Sequence, residues 1–189
     1  MKKVFLSVAI IVAATLSAGA QVQYGVKGGL NIANLTGSSS DGASALVGLH
    51  LGGLASIRVT DMFHVQPELV FSTEGAKVQG GKLVFDYLNI PVLAKYTITD
   101  GLNIEGGPQF GFMLSADAKD NAGNSANISS SFKSLDLAFA LGLSDAIADN
   151  IGVDVRYNIG LSNIVQNSST GTLHSSVLQI GAFYLFNTK

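Results

Sequence analysis

The stretch His174-Ser175-Ser176-Val177-Leu178-Gln179-Ile180-Gly181-Ala182-Phe183-Tyr184-Leu185-Phe186 decides the fold. Leu178, Ile180, Ala182, Tyr184 and Phe186 fall on one face, and Ser175, Val177, Gln179, Gly181 and Phe183 on the other. Successive side chains of a β-strand point to opposite faces, so this period-two pattern reads as a strand with one apolar side. The same pattern recurs seven times upstream. Strands are read over 22–34, 45–59, 63–73, 83–98, 102–116, 134–144 and 150–162, completed by 174–186. Each has about 11 residues or more, which meets the roughly 9–11 that a tilted strand needs to cross a bilayer core.

At the other end, Lys2 and Lys3 precede an apolar stretch from Val4 to Leu16 and the small-residue run Ala18-Gly19-Ala20. That is the order of a secretory signal peptide, cleaved before Gln21. The apolar run is too short for a spanning helix, which needs about 20 residues. The expected organisation is therefore a signal peptide over 1–20 and one domain over 21–189. With no cysteine, disulfides, thiolate metal sites, cysteine nucleophiles and a thiol-linked lipid anchor are all ruled out.

Composition narrows the class. Two of the eleven basic residues lie in the leader, leaving nine against thirteen acidic ones, a net charge of −4. No basic field exists to attract nucleic acid. Charged residues make up 13% of the chain, against about 25% in soluble domains. Beyond the leader no apolar run is long enough for a membrane helix. An apolar chain of alternating strands is then a large-core soluble protein or a barrel facing lipid.

Two features favour lipid. The polar face is rich in glycine and poor in charge, which suits a narrow interior of interdigitating side chains and not a solvated exterior. The apolar face carries aromatics near both strand ends: Tyr24, Phe63, Tyr96, Tyr184 and Phe186 at one, Phe71, Phe110 and Phe112 at the other. Such girdles mark the membrane interfaces. Connections alternate in length, with tight turns at Thr60-Asp61, Thr99-Asp100-Gly101 and 145–149, and longer polar loops at 35–44, 74–82, 117–133 and 163–173. Short periplasmic turns and long outer loops are the rule for these barrels. The sequence thus predicts an all-β, eight-stranded antiparallel up-and-down transmembrane barrel in the outer membrane, with both termini periplasmic. Pro67, Pro91 and Pro108 fall inside strands, where each removes a ladder donor, and are read as bulges or tolerated irregularities.

The inward face holds four charges of each sign: Lys27, Arg58, Lys95 and Arg156 against Glu68, Glu105, Asp136 and Asp154. Buried charges are costly unless paired, so an internal salt-bridge network is expected. Asp136 and Arg156 are placed as cross-strand neighbours by counting from the turn between them. The alternative is a selectivity device in a narrow passive pore for ions or small solutes.

The segments Tyr24-Gly25-Val26-Lys27-Gly28-Gly29-Leu30-Asn31 and Leu88-Asn89-Ile90-Pro91-Val92-Leu93-Ala94-Lys95-Tyr96 carry a family likeness. Gly106-Gly107-Pro108-Gln109-Phe110-Gly111 and Val153-Asp154-Val155-Arg156-Tyr157-Asn158 extend it. The chain resembles the porin-family, PorT-like outer-membrane β-barrel proteins over essentially the whole mature sequence, which implies an eight-stranded barrel and no particular activity. The C-terminal strand also resembles the signal read by the barrel-assembly machinery, through Gln179, Gly181, Tyr184 and Phe186, although Asn187-Thr188-Lys189 follow the final aromatic. Partners expected from these readings are outer-membrane lipid and, during biogenesis, that machinery and periplasmic chaperones.

Enzyme chemistry has little to rest on. His174 and Ser176 share a face and are faintly similar to the His-x-Ser of lipid A deacylases, but no carboxylate is in evidence to orient the imidazole. His50 and His64 lie inward on neighbouring strands and are two ligands short of a metal site. No cofactor is expected. The Asn-x-Ser/Thr matches at Asn34, Asn127 and Asn167 are compositional. The reading is a non-enzymatic outer-membrane barrel with a structural or loop-mediated binding role, its ligand unnamed and its longest loop at 117–133.

Overall fold

The computed structural model describes residues 22–38, 42–166 and 171–186. The expected leader, Asn167 and the segment 187–189 lie outside the described residues. The strands are β1 (Val22–Thr36), β2 (Ser44–Arg58), β3 (Phe63–Val78), β4 (Gly81–Thr97), β5 (Leu102–Asp120), the short β6 (Ser125–Asn127), β7 (Leu135–Ala146), β8 (Ile151–Gly160) and β9 (His174–Leu185). Among the described residues, eight long strands pair antiparallel in ring order β4-β3-β2-β1-β9-β8-β7-β5, and β4–β5 pairing closes the ring. Closure leaves no unpaired edge for lipid to meet, which is what a membrane sheet requires. No helix among the described residues is long and apolar enough to cross a membrane.

The faces sort as the alternation requires. Val47, Leu49 and Leu51 are 63%, 64% and 68% exposed, whereas His50 between them is 2% exposed. Apolar side chains cover the outside and charged ones fill the inside, the reverse of a water-soluble ligand barrel. Phe63 pairs with Tyr96 at the end where β1 begins, and Phe71, Leu88 and Phe112 share a rung near the other end. The Tyr184 and Phe186 rings meet edge to face at 5.6 Å, so both aromatic girdles are present.

One expectation needs correction and another is narrowed. Residues 74–82 are not a long loop: β3 and β4 continue to Val78 and Gly81 around a tight turn at Gln79-Gly80. Glu74, Gly75, Lys77, Gly80, Gly81 and Lys82 give the stretch a loop's composition. Inward Ala76 and Phe85 are nevertheless buried and keep the alternation going. β5 also rises, to Asp120, and pairs with β6. Of the two readings of the three prolines, bulges fall and tolerated irregularities stand. Register runs unchanged past Pro67, Pro91 and Pro108, and the two register shifts fall at Ala45/His50 and Asp86/Tyr87.

At the end with the longer connections an apolar cap closes the lumen. Leu35, Ala76, Phe85, Tyr87 and Ala116 from the walls pack with Ile164 and Leu173 from the β8–β9 connection. Phe132, Ile128 and Val165 cover them. The Phe85 and Phe132 rings meet edge to face at 4.9 Å. Lys133 N donates to Ile164 O and Gln166 N to Ser131 O, tying two of the connections together over the mouth.

Candidate functional site

Among the described residues the charged and hydrogen-bonding side chains converge in the lumen, and glycine makes room for them. Gly142 faces Arg156 across the β7–β8 ladder. A Cβ on Gly142 would come within 3.0 Å of the Arg156 Cα and 3.2 Å of its Cβ. Gly181 of β9 likewise lies against His50 and Asp154, whose Nε2 and Oδ2 would be 2.9 Å and 3.3 Å from a Cβ there.

Arg156 is the hub, with its side chain 1% exposed. Its Nη1 and Nη2 donate to Glu68 Oε2 and Oε1, both at 2.9 Å. Its Nε and Nη2 donate to Glu105 Oε1 at 2.9 and 2.7 Å. The planar guanidinium suits this forked geometry, which an ammonium does not match. Glu68 stands on β3, four strands around the ring from β8 in either direction, so this pair spans the full barrel diameter. Lys27 of β1 reaches Asp154 Oδ1 at 3.2 Å and Glu68 Oε2 at 3.5 Å. Lys95 of β4 lies 3.4 Å from Glu105 Oε2, donates to Gln66 Oε1 at 3.2 Å, and sits 5.2 Å from the Phe183 ring centre. Gln66 Nε2 donates to Glu68 Oε1 at 2.7 Å. Three cations thus face three carboxylates, with every one of the six side chains buried.

Toward the cap the network turns neutral. Asn31 Nδ2 donates to Ser72 Oγ at 2.8 Å, and Asn31 Oδ1 receives Gln179 Nε2 at 3.1 Å and lies 2.8 Å from His50 Nδ1. Glu74 is held by Ser72, Asn89 and Ser175 at 2.9, 3.0 and 3.1 Å, with no cation beside it among the described residues. Sequence reasoning missed Glu74 by assigning it to a loop. The signal was there, since Glu68, Ser72 and Glu74 share one parity along β3.

Two of the eight charges expected in the network lie elsewhere. Arg58 is at the rim, its side chain 45% exposed, paired with Asp61 at 2.6 Å. Its parity is inward, but the strand ends there and the chain turns to water. Asp136 is not a neighbour of Arg156: the β7–β8 register pairs Arg156 with Gly142 and places Asp136 six residues higher, where it receives Ser162 Oγ at 2.5 Å. The count took the turn as 145–149, which put Asp136 about nine and Arg156 about seven residues above it; β7 runs on to Ala146 and the turn is 147–150, so the offset grows to six residues. The two inward histidines do not meet either. His50 pairs with Ser72 and His64 with Arg58, eight positions apart along β2. No group of three or more potential metal ligands forms among the described residues. His174 and Ser176 form no hydrogen bond with each other. The assembly-signal residues lie along β9 and one residue past its end: Gln179 buried beside Asn31, Gly181 against His50, and Tyr184 and, just beyond the strand, Phe186 on the lipid face.

A closed, charge-filled ring of eight strands with an apolar exterior defines the class, and comparison agrees. The family model described as outer membrane protein beta-barrel domain matches residues 14–166. The chain belongs to that family. It is an outer-membrane β-barrel protein. Among solved structures it is similar to Neisserial surface protein A, with 14% identity over 88% of this chain and 99% of that one, at a TM-score of 0.63. It is also similar to Ail of Yersinia pestis, with 16% identity, 88% and 99% coverage and a TM-score of 0.56. Ail in complex with the heparin analogue sucrose octasulfate superposes at 0.52 with the same identity and coverage. At these identities the likeness is one of fold. Among curated proteins none matches.

Proposed function

We propose that this barrel is non-conducting and non-enzymatic, that both termini face the periplasm, and that its role is structural or exercised by binding at its outer loops. One observation carries the reading: the Arg156–Glu68 pair crosses the whole lumen diameter and is sealed on one side by the apolar cap. An eight-stranded interior is just wide enough for side chains to fill, and here they do. The orientation rests on connection length. Turns at 59–62, 98–101 and 147–150 have four residues each, whereas the opposite end, despite the two-residue turn at Gln79-Gly80, carries the β3–β4–β5–β6 extension and the capping segments. β9, through Gln179, Gly181, Tyr184 and Phe186, is the strand the barrel-assembly machinery would read, and periplasmic chaperones would carry the chain to it. Purified protein in a planar bilayer should give no stepwise current. Discrete conductance steps from the wild type would overturn the plug and favour a narrow pore for ions or small solutes.

A further inference from the structure

The sheet extension above the barrel carries a feature that the plug does not use. The registers Lys77↔Lys82 and Lys82↔Lys119 put three lysines directly opposite one another on β3, β4 and β5, and Ser125 of β6 continues the rung. Their chain neighbours Ala76 and Leu83 pack in the cap and Ala118 pairs with Leu83, so the lysines point outward from the barrel. All three are exposed, and none makes an ion pair or side-chain hydrogen bond with a described residue. Directly opposed like charges destabilise a sheet. Their acidic surroundings on the same face are thin. Asp117 lies one rung below, and Asp86, two rungs below, is occupied by Thr73 Oγ1 at 2.8 Å and Ser115 Oγ at 3.1 Å.

Height fixes what the rung meets. On β3 and β4 the apolar outer face ends at the Phe71–Leu88 level and on β5 at Leu114, in the bulge just past Phe112, and the Thr73–Asp86–Ser115 rung is the first polar one above it. From Thr73 to Lys77 is about 13 Å of strand at 3.3 Å per residue. For a strand tilted by about 45° that is roughly 9 Å along the membrane normal. The polar headgroup layer extends about 5–8 Å beyond the hydrocarbon, and lysine stems reach back toward it. We propose that the Lys77–Lys82–Lys119 rung is a docking surface for the phosphate groups of outer-leaflet lipid headgroups, which supply the counter-charge the sheet lacks. This rests on the orientation proposed above.

The test is the lipid selectivity of the whole barrel refolded in phosphatidylcholine vesicles, comparing spin-labelled phosphatidic acid with spin-labelled phosphatidylcholine by electron spin resonance. At low salt the phosphatidic acid label should associate about fivefold more strongly, the worth of about one lysine near an anionic surface. The preference should fall with added salt. The variant K77Q/K82Q/K119Q should lose it and K77R/K82R/K119R should keep it, both folding normally because the rung is exposed and packs nothing. Absence of a wild-type preference, its persistence in the glutamine variant, or binding of dextran sulfate by the rung without lipid selectivity would each overturn the proposal. Orientation is read separately. The chain has no cysteine, so a Gln79→Cys variant in intact cells should react with a membrane-impermeant maleimide. Protection of that site would overturn the orientation and the outer-leaflet assignment, whatever the vesicle result.

Discussion

Replacing Arg156 by alanine should cost about 3–5 kcal/mol of barrel stability, the usual loss when one partner of a buried ion pair is removed. Four hydrogen bonds disappear, two to Glu68 and two to Glu105. Each carboxylate keeps a lysine, at 3.5 Å from Lys27 and 3.4 Å from Lys95, so the loss belongs to one pair and is not doubled. The ion-pair layer then holds two cations, Lys27 and Lys95, against three anions, Glu68, Glu105 and Asp154. Glu68→Gln in the Arg156→Ala background restores the balance and should recover part of the loss, with a coupling of about 0.5–3 kcal/mol. Urea unfolding of the wild type, both single variants and the double variant in lipid vesicles would measure this. Tyrosine fluorescence and the heat-dependent gel shift serve as probes, since the chain has no tryptophan. Losses that add within about 0.5 kcal/mol, or an Arg156→Ala barrel within about 1 kcal/mol of wild type, would refute the structural network. A changed conductance in that variant without a stability loss would instead support the pore.

The cap should matter for stability and not for leakage: Ile164→Ala should cost about 2–4 kcal/mol as a buried large-to-small change, with planar bilayers still silent because the ion-pair layer remains. Gly181→Asp and Phe186→Ala should both lower folded protein in the outer membrane while the chain still reaches the periplasm; wild-type levels of both would end the assembly-signal reading. At the tip of the extension, hydrogen bonds from the Asn124 side chain, then from backbone N–H groups of Asn124 and Ala122, hold the Asp120 carboxyl below the usual aspartate range. A depressed carboxylate orders its turn above the unfolded pKa and loses that effect as pH falls through the folded one. A carbon-13 NMR titration of Asp120 should therefore show a midpoint below the usual aspartate range, moving back up in Asn124→Ala.

Residue order alone determined the wall. Alternation is a local property of a strand, so β8 and β9 could be read to within a residue or two from Ile151 to Gly160 and His174 to Leu185. The same parity put Lys27, Glu68, Lys95, Glu105, Asp154 and Arg156 inside. Which of these meet was not legible, because partners across a lumen are set by ring closure and by the stagger between strands. Asp136 shares a hairpin with Arg156 and lies six residues away in register, whereas Glu68, 88 residues earlier in the chain, is its forked partner. Arg58 has the right parity but the wrong height. Glu74 and the lysine rung were hidden in two stretches with a loop's composition, 74–82 and 117–133, parts of which became sheet because β3, β4 and β5 extend one another's ladders beyond the apolar band. Side-chain direction follows from the backbone period, but contact across the barrel waits on the register that tertiary closure imposes.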